Sequence, residues 1–413
     1  MSERTRGRSQ ALSAWALVAA ALTSEAALAQ SAAAASSDAK GSRAESMDHD
    51  AGQWPKYSLE TIGNAEYARV DAADGPSRGP DARLRFDTTG LVEFSDKLSL
   101  DGLFQFKPRQ PLPADDPNNQ LYINHGPRRQ EGGKMKELYL RAGDYRIGKF
   151  VQDFGRAYAL LPGAQAADFV EESEQGYEPA EMIGVEKIHV FEDESHGWRQ
   201  LSLSAFEVDR TFLHRSFPYD EGIVHLSDGG VGNTRWPTNL MATWDVLRQP
   251  IGHWAQLDYQ ASIIRWGKTE GAQKGEWWTT LGGDLSIPLH GSVEDTLRGR
   301  FEQVQFYVEA ARRDNFEGIA GRTRNDLSGS ASYMVGPWRL DATTTQRWTT
   351  DRAAPLQNDR LYTTSLGYTL PSRTIVALSV SRETVAGRSA NFAGIRITQT
   401  FTTCSKCVRQ ERY

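Results

Sequence analysis

The chain has 413 residues and a formal net charge of −6, with 24% charged residues, eleven Trp, fourteen Tyr, sixteen Phe and only two Cys. So mild an acidity gives no general case for nucleic-acid binding, and two cysteines cannot supply a disulfide framework. Beyond the N-terminal thirty residues no run of eighteen apolar residues occurs, which excludes a helical membrane protein and leaves a β-barrel open.

At the N-terminus Arg4, Arg6 and Arg8 precede a mostly apolar stretch from Ala11 to Leu22, and Ala27-Leu28-Ala29 offers small residues for cleavage. Residues 1–29 therefore read as a secretory signal peptide, whose removal shifts the formal charge to −7 and takes the mature chain out of the cytoplasm. Residues 30–53 carry Ala, Ser and charge with almost no large apolar side chain, so they read as a flexible periplasmic leader. The folded domain is expected over 54–401, with 402–413 as a periplasmic tail.

From Trp54 onward the dominant signal is alternation at period two, the mark of strands with one apolar and one polar face. In 97–107, Leu98, Leu100, Phe104 and Phe106 oppose Asp101, Gln105 and Lys107; in 252–265, Ala255, Leu257, Tyr259, Ala261 and Ile263 oppose Gln256, Asp258, Gln260 and Ser262. In 373–383, Val376, Leu378 and Val380 oppose Ser379, Ser381 and Glu383, and in 391–401, Ile395, Ile397 and Phe401 oppose Arg396, Thr398 and Thr400. Helical patterning is nearly absent. Sixteen such segments are expected, at 56–69, 82–94, 97–107, 134–142, 145–152, 181–191, 198–210, 239–248, 252–265, 275–287, 296–311, 325–335, 338–349, 360–370, 373–383 and 391–401. Most exceed the usual strand of about five or six residues and approach the length that crosses a bilayer when tilted.

The connections alternate between short and long. Short turns are expected at Ser95-Asp96, Gly143-Asp144, Glu192 to Gly197, Gln249 to Gly252, Pro288 to Gly291, Gly336-Pro337 and Pro371-Ser372. Long ones occupy 70–81, 108–133, 153–180, 211–238, 266–274, 312–324, 350–359 and 384–390, all at the opposite end. Phe94, Tyr145, Trp198, Trp254, Tyr333, Trp338, Tyr368 and Phe401 fall beside the short turns or the final strand end, as an aromatic girdle at one membrane interface would. An open sheet would strand backbone groups in lipid, so first and last strands must pair: the fold class is an all-β, antiparallel, up-and-down transmembrane barrel of about 16 strands. The inferred inner face carries Arg83, Arg85, Asp87, Glu137, Arg141, Lys187, His189, Asp284, Arg339, Asp341, Arg347 and Arg396, too polar for a dry core; a barrel of this size leaves a water-filled channel.

The connection 153–180 stands apart. Between Asp153 and Glu181 it holds seven carboxylates, including Asp168, Glu171, Glu172 and Glu174, against the single Arg156, together with Phe154, Tyr158, Leu160, Leu161, Phe169 and Tyr177. An exposed loop has no need of so many apolar side chains, so it is expected to bend into the lumen; a solvated acidic lid is the bland alternative. A glycosidase-like carboxylate pair would also use such acids, but any acidic loop offers one.

The architecture, with the stretch from "GKFVQDFG" to "MIGVE", resembles the outer-membrane porins of Gram-negative bacteria over about residues 54–401. The resemblance implies a cell outer membrane location, outer-membrane lipid and lipopolysaccharide as surroundings, small hydrophilic solutes or ions as cargo, a homotrimer as candidate assembly, and no cofactor, metal or catalytic residue. It also implies a constriction in which Asp168, Glu171, Glu172 and Glu174 face pore-wall Arg83, Arg85 and Arg141, selecting solutes by charge and size without chemistry. Two rivals stand beside it: a dedicated exporter or specific channel for an anionic polysaccharide or other anion, which would need a continuous basic lumen, and a periplasmic all-β carbohydrate-active enzyme, which the one-sided sorting of loops opposes.

Other features carry less. The eight histidines show no metal spacing, and 227–232 is Gly-rich but does not open a helix after a strand. Arg312, Arg313, Arg322 and Arg324 flank a long connection and read as a solvated face, or as a group attracting anions or lipopolysaccharide phosphates. Cys404 and Cys407 follow the last strand, leaving a small-loop disulfide, a metal ligand, a partner attachment or an incidental tail all open. The extension beyond Phe401 departs from the porin pattern of a terminal aromatic residue.

Overall fold

The computed structural model describes residues 54–72, 80–106, 132–157, 182–193, 197–217, 224–228, 231–269, 271–290, 302–351, 357–385 and 387–404, all within one compact unit running from Trp54. Seventeen strands follow in chain order. They are β1 (Lys56–Ala72), β2 (Pro80–Ser95), β3 (Leu98–Phe106), β4 (Gly133–Ala142), β5 (Tyr145–Phe150), β6 (Met182–Asp193), β7 (Gly197–Val208), the two-residue β8 (Ser216–Phe217) and β9 (Asn239–Ile251). After them come β10 (Ala255–Arg265), β11 (Trp277–His290), β12 (Glu302–Asp314), β13 (Thr323–Val335), β14 (Trp338–Thr350), β15 (Gln357–Thr369), β16 (Ile375–Val385) and β17 (Arg388–Cys404). Leaving β8 aside, each strand pairs antiparallel with its neighbours, and β17 returns to β1 with Thr61 opposite Phe401 and Glu66 opposite Arg396. The result is a closed barrel of sixteen long strands, one for each of the sixteen expected segments.

Its surface is inverted relative to a water-soluble protein. On β14 the buried positions are Asp341, Thr343, Thr345 and Arg347, while Trp338 and Leu340 are exposed. Leu281, Val380 and Val308 are 63%, 59% and 57% exposed. Soluble folds bury such side chains, each at a gain of about 1.5–3 kcal/mol. An outward apolar face against a polar interior is the arrangement of a barrel in lipid. Beside the short turns Phe94, Tyr145, Trp254, Tyr333, Trp338 and Phe401 are exposed, and the Trp338 and Tyr368 rings lie 4.6 Å apart. Trp198 is the exception in this girdle: it shares the register face of Gln200 and Ser202, which hydrogen-bond each other within the barrel.

Four expectations change. Lys187 and His189 belong to the outer face of β6, with Val185 and Phe191, because the buried inner position is Glu186; the His189 and Phe191 rings meet at 4.4 Å and Lys187 reaches over the Tyr145 ring. No turn forms at Pro288 to Gly291: β11 continues to His290 with an irregular register beside Pro288, and the connection is 291–301, outside the described residues. At the opposite rim, the expected long connection is short, because β16 and β17 pair up to Val385 opposite Arg388, and Gly387 has φ +78°. The final strand also runs past Phe401, with Cys404 opposite Ser58.

One stretch of wall is built differently. β5 is only six residues long, ending at Phe150, and the chain then leaves the sheet. Gly148, at φ +139°, allows the close approach this needs, since a Cβ there would stand 2.5 Å from the Leu138 carbonyl oxygen. The vacated edge of β4 is filled from the β7–β9 connection: Gly133 and Lys134 pair with Phe217 and Ser216 of β8. Lys149 pins that patch through Asp209 at 2.8 Å, both side chains being fully buried, and donates to the Leu213 carbonyl at 3.0 Å. Breaking one half of a buried pair costs about 3–5 kcal/mol. Lys149→Ala is therefore expected to free residues 209–217 while the barrel stays closed, seen as new cleavage there in limited proteolysis; a wild-type digestion pattern would show that the pair does not hold the patch.

Candidate functional site: the inward segment and the lumen wall

Residues 151–157, following β5, run into the barrel and meet the inner faces of β7, β9, β10 and β12. Gln152, Phe154 and Ala157 are completely buried. Phe154 packs 5.8 Å from the Trp278 ring, in an apolar group with Met182, Phe206, Met241 and Ile264. The polar anchors are as specific. Gln152 Oε1 accepts from Ser204 on β7 at 2.8 Å, and the Asp153 carbonyl accepts from Thr243 on β9 at 3.0 Å and from Ser262 on β10 at 3.3 Å. Arg156 Nη2 donates to Asp245 on β9 at 2.5 Å, and Gln260 donates to the same oxygen at 2.9 Å.

Glu309 on β12 closes the set. Its carboxylate accepts from the Arg156 amide at 2.6 Å, from the Ala157 amide at 3.3 Å and from the Tyr307 hydroxyl at 2.7 Å. Each hydrogen bond to a charged group contributes about 1.5–3 kcal/mol net. Behind the segment, Arg146 pairs with the buried Glu186 and lies 3.6 Å from Asp153. The chain thus crosses from β5 to β12 and is tied at both ends.

Past the segment, the lumen wall of β12–β15 carries a buried lattice of charge. Arg313 donates to Asp326 at 2.9 Å, Arg347 donates to the other Asp326 oxygen at 2.8 Å, and Arg324 lies 3.7 Å from Asp359. The register accounts for the grouping: Arg313 is opposite Arg324, and Asp326 opposes Arg347, which opposes Asp359. Phe316 separates the like charges, with the Arg313 and Arg324 guanidinium groups 4.9 and 4.7 Å from its ring centre. Arg313 and Arg324 are thus buried and paired, against the expectation of a solvated face. Arg312 and Arg322 are the more exposed members, held by Asp314 at 2.8 Å and Asp351 at 2.7 Å.

The sequence-derived site is only partly visible. Asp168, Glu171, Glu172 and Glu174 lie outside the described residues. Arg85 faces the lumen and pairs with Asp87 at 2.7 Å, which also accepts from Gln105 at 2.8 Å. Arg83 stands opposite Glu66 in the register. Arg141 is exposed, two residues from the turn at Gly143, so it sits near the short-turn rim. Sequence reasoning did not single out Glu309, Asp245, Gln152 or the Asp326 lattice. Arg156 was visible as the lone cation of an acidic stretch, but its partner is 89 residues away.

No family model matches the chain, and no curated protein does. Solved structures do. The outer membrane channel DcaP of Acinetobacter baumannii aligns at a TM-score of 0.55 with 12% identity, covering 84% of this chain and 97% of that one. OprB of Pseudomonas putida aligns at 0.54 with 10% identity, covering 84% and 94%, and Salmonella typhi OmpF in complex with daunomycin at 0.51 with 9% identity, covering 83% and 97%. The fold is that of the outer-membrane porins. Identities this low establish the architecture and leave the details of the porin-fold lumen to its own residues. Here those are the inward segment, fastened at Glu309 and Asp245, and the arginine–carboxylate lattice beside it.

Proposed function

We propose that this chain is a cell outer-membrane porin: a passive, water-filled channel for small hydrophilic solutes or ions, narrowed where the β5–β6 connection enters the barrel. The observation that carries the reading is the run 151–157, buried inside a closed barrel whose outer face is apolar and bonded to the inner wall at β9 and β12 through Asp245 and Glu309. A polar lumen with fixed charges selects by size and field and needs no chemistry. The acidic residues Asp168, Glu171, Glu172 and Glu174 then continue the same segment as the constriction, opposite a wall to which Arg85 contributes. Outer-leaflet lipopolysaccharide and a homotrimeric assembly belong to the same proposal. A dedicated anion exporter fits less well, because the lumen arginines alternate with carboxylates at Asp326, Asp359 and Asp341 instead of forming a continuous basic track.

The test is the refolded mature protein in a planar bilayer. Stepwise ohmic openings are expected, and neutralising Glu171, Glu172 and Glu174 together is expected to move the reversal potential in a salt gradient away from cation preference. Insertion without conductance would overturn the channel reading; unchanged selectivity would remove the acidic residues from the constriction.

A further inference from the structure

Directly below the inward segment, the inner wall holds a group of polar side chains that the segment does not use. Gln260, Gly282 and Glu309 stand at one register level of β10, β11 and β12, the level at which the segment is fastened; one step toward the short turns, Asp258 is opposite Asp284, with Tyr307 beyond it. Residues directly opposite in a ladder share a face, their Cβ atoms about 5 Å apart, and like charges so placed repel. A bulge fixes the first carboxylate: β9 has Leu247 and Arg248 against the single Asp258, and the Arg248 amide donates to Asp258 Oδ1 at 2.6 Å. Gln256 Nε2 donates to the same oxygen at 3.4 Å, and Gln305 donates to Asp284 Oδ2.

What remains is a set of acceptors without donors. Asp284 is 8% exposed, and its Oδ1 is buried with no hydrogen-bond partner. Gln260, 3% exposed, spends its amide on Asp245, and its Oε1 is buried without a partner too. Neither Asp258 nor Asp284 has an ion-pair partner among the described residues, because the lumen cations that act on Asp284 are held elsewhere, Arg156 by Asp245 and Arg339 by Asp341. Buried polar atoms in folded proteins are almost always satisfied, so two orphaned acceptors beside two uncompensated carboxylates call for a group that brings both donors and positive charge. A water brings donors without charge, and a quaternary ammonium brings charge without donors. A primary ammonium has three donors, no acceptor and one positive charge.

We infer that Asp258, Asp284 and Gln260 form a subsite for the primary ammonium group of a small solute, on the short-turn side of the inward segment. The inference rests on the porin reading above and deepens it by naming a solute class, amine-bearing cations, and a point of the wall that recognises them by hydrogen bonds as well as by field. It is separate from the acidic residues Asp168, Glu171, Glu172 and Glu174.

The probes are N-acetyl-lysine methylamide, which carries one primary ammonium, its Nε-trimethyl analogue, which keeps the charge and loses the donors, and its Nε-acetyl analogue, which loses the charge. Each is titrated from the short-turn side onto the refolded mature protein in a planar bilayer, and the fall in current gives an apparent Kd. Wild type is expected to bind the ammonium probe at least about tenfold more tightly than either analogue. Combining Asp258→Asn with Asp284→Asn is expected to erase that preference while the channel still conducts, since both replacements keep the side-chain size and an acceptor oxygen. The control Asp96→Asn, in the exposed β2–β3 turn, leaves the preference unchanged. Equal block by the trimethyl analogue overturns the subsite and leaves only a general attraction for cations; a preference that survives in the double variant overturns the assignment to these carboxylates. A wild type that conducts without discriminating the three probes ends only this inference, whereas a wild type that inserts and never conducts ends the porin reading as well.

Discussion

Glu309→Ala is expected to raise the single-channel conductance and the open-channel noise while the barrel still inserts. The reason is the distribution of bonds along 151–157. Glu309 accepts from two consecutive amides of the segment, Arg156 and Ala157, and the Arg156 side chain is fixed separately by Asp245. Losing the carboxylate removes bonds contributing about 3 kcal/mol or more, a factor of roughly a hundred in the ratio of anchored to released segment. The strand ladders are untouched, so the loss appears as local release and not as unfolding. Arg156→Ala is expected to act in the same direction. The double variant should fall short of the summed effects, because both side chains hold one element. Gln substitution is the finer test: Glu309→Gln keeps an acceptor oxygen and should release the segment less than alanine. Wild-type conductance in both alanine variants would mean that 151–157 does not set the bore.

The strands were legible because period two persists over almost every segment and a closed barrel imposes it on the entire chain. The same rule explains the error on β6. Its sequence, MIGVEKIHVFED, places apolar residues on both parities, Val185 and Phe191 on one, Met182, Ile188 and Val190 on the other. With such a pattern a one-residue choice reverses every side chain, and Lys187 and His189 went with it. Glu186 decides the matter only through Arg146, a contact between strands. The two-residue β8 carries no periodicity at all; it exists because β5 stops early and leaves the β4 edge unpaired. The bend of 151–157 was foreshadowed by Phe154 among the apolar residues of an otherwise acidic connection, yet its acceptors on β9 and β12 are ordinary inward acids until the fold brings them together. In the same way, Arg313 and Arg324 look like loop-flanking surface charge in the sequence, and only the register of β12 on β13 turns them into a buried pair around Phe316.

That lattice yields the second large effect, because its members are not equivalent. Asp326 serves two arginines, one on each oxygen, so Asp326→Asn leaves Arg313 and Arg347 both buried without their shared counter-charge. Removing one partner of a buried pair costs about 3–5 kcal/mol, and the repulsion between the two guanidinium groups adds to it. Arg313→Gln removes a cation that competes for Asp326 and leaves the Arg347–Asp326 bond standing, so its cost should be clearly smaller. The measurement is the temperature at which the folded barrel loses its compact electrophoretic mobility, expected to fall most for Asp326→Asn and least for Arg313→Gln. Ion selectivity should move in opposite directions for the two, toward anions when the carboxylate is lost and toward cations when the arginine is. Equal destabilisation by both would show that the lattice acts through packing around Phe316 and Trp278. A stability loss without any shift in reversal potential would place the lattice outside the conducting path, leaving the inward segment alone to define it.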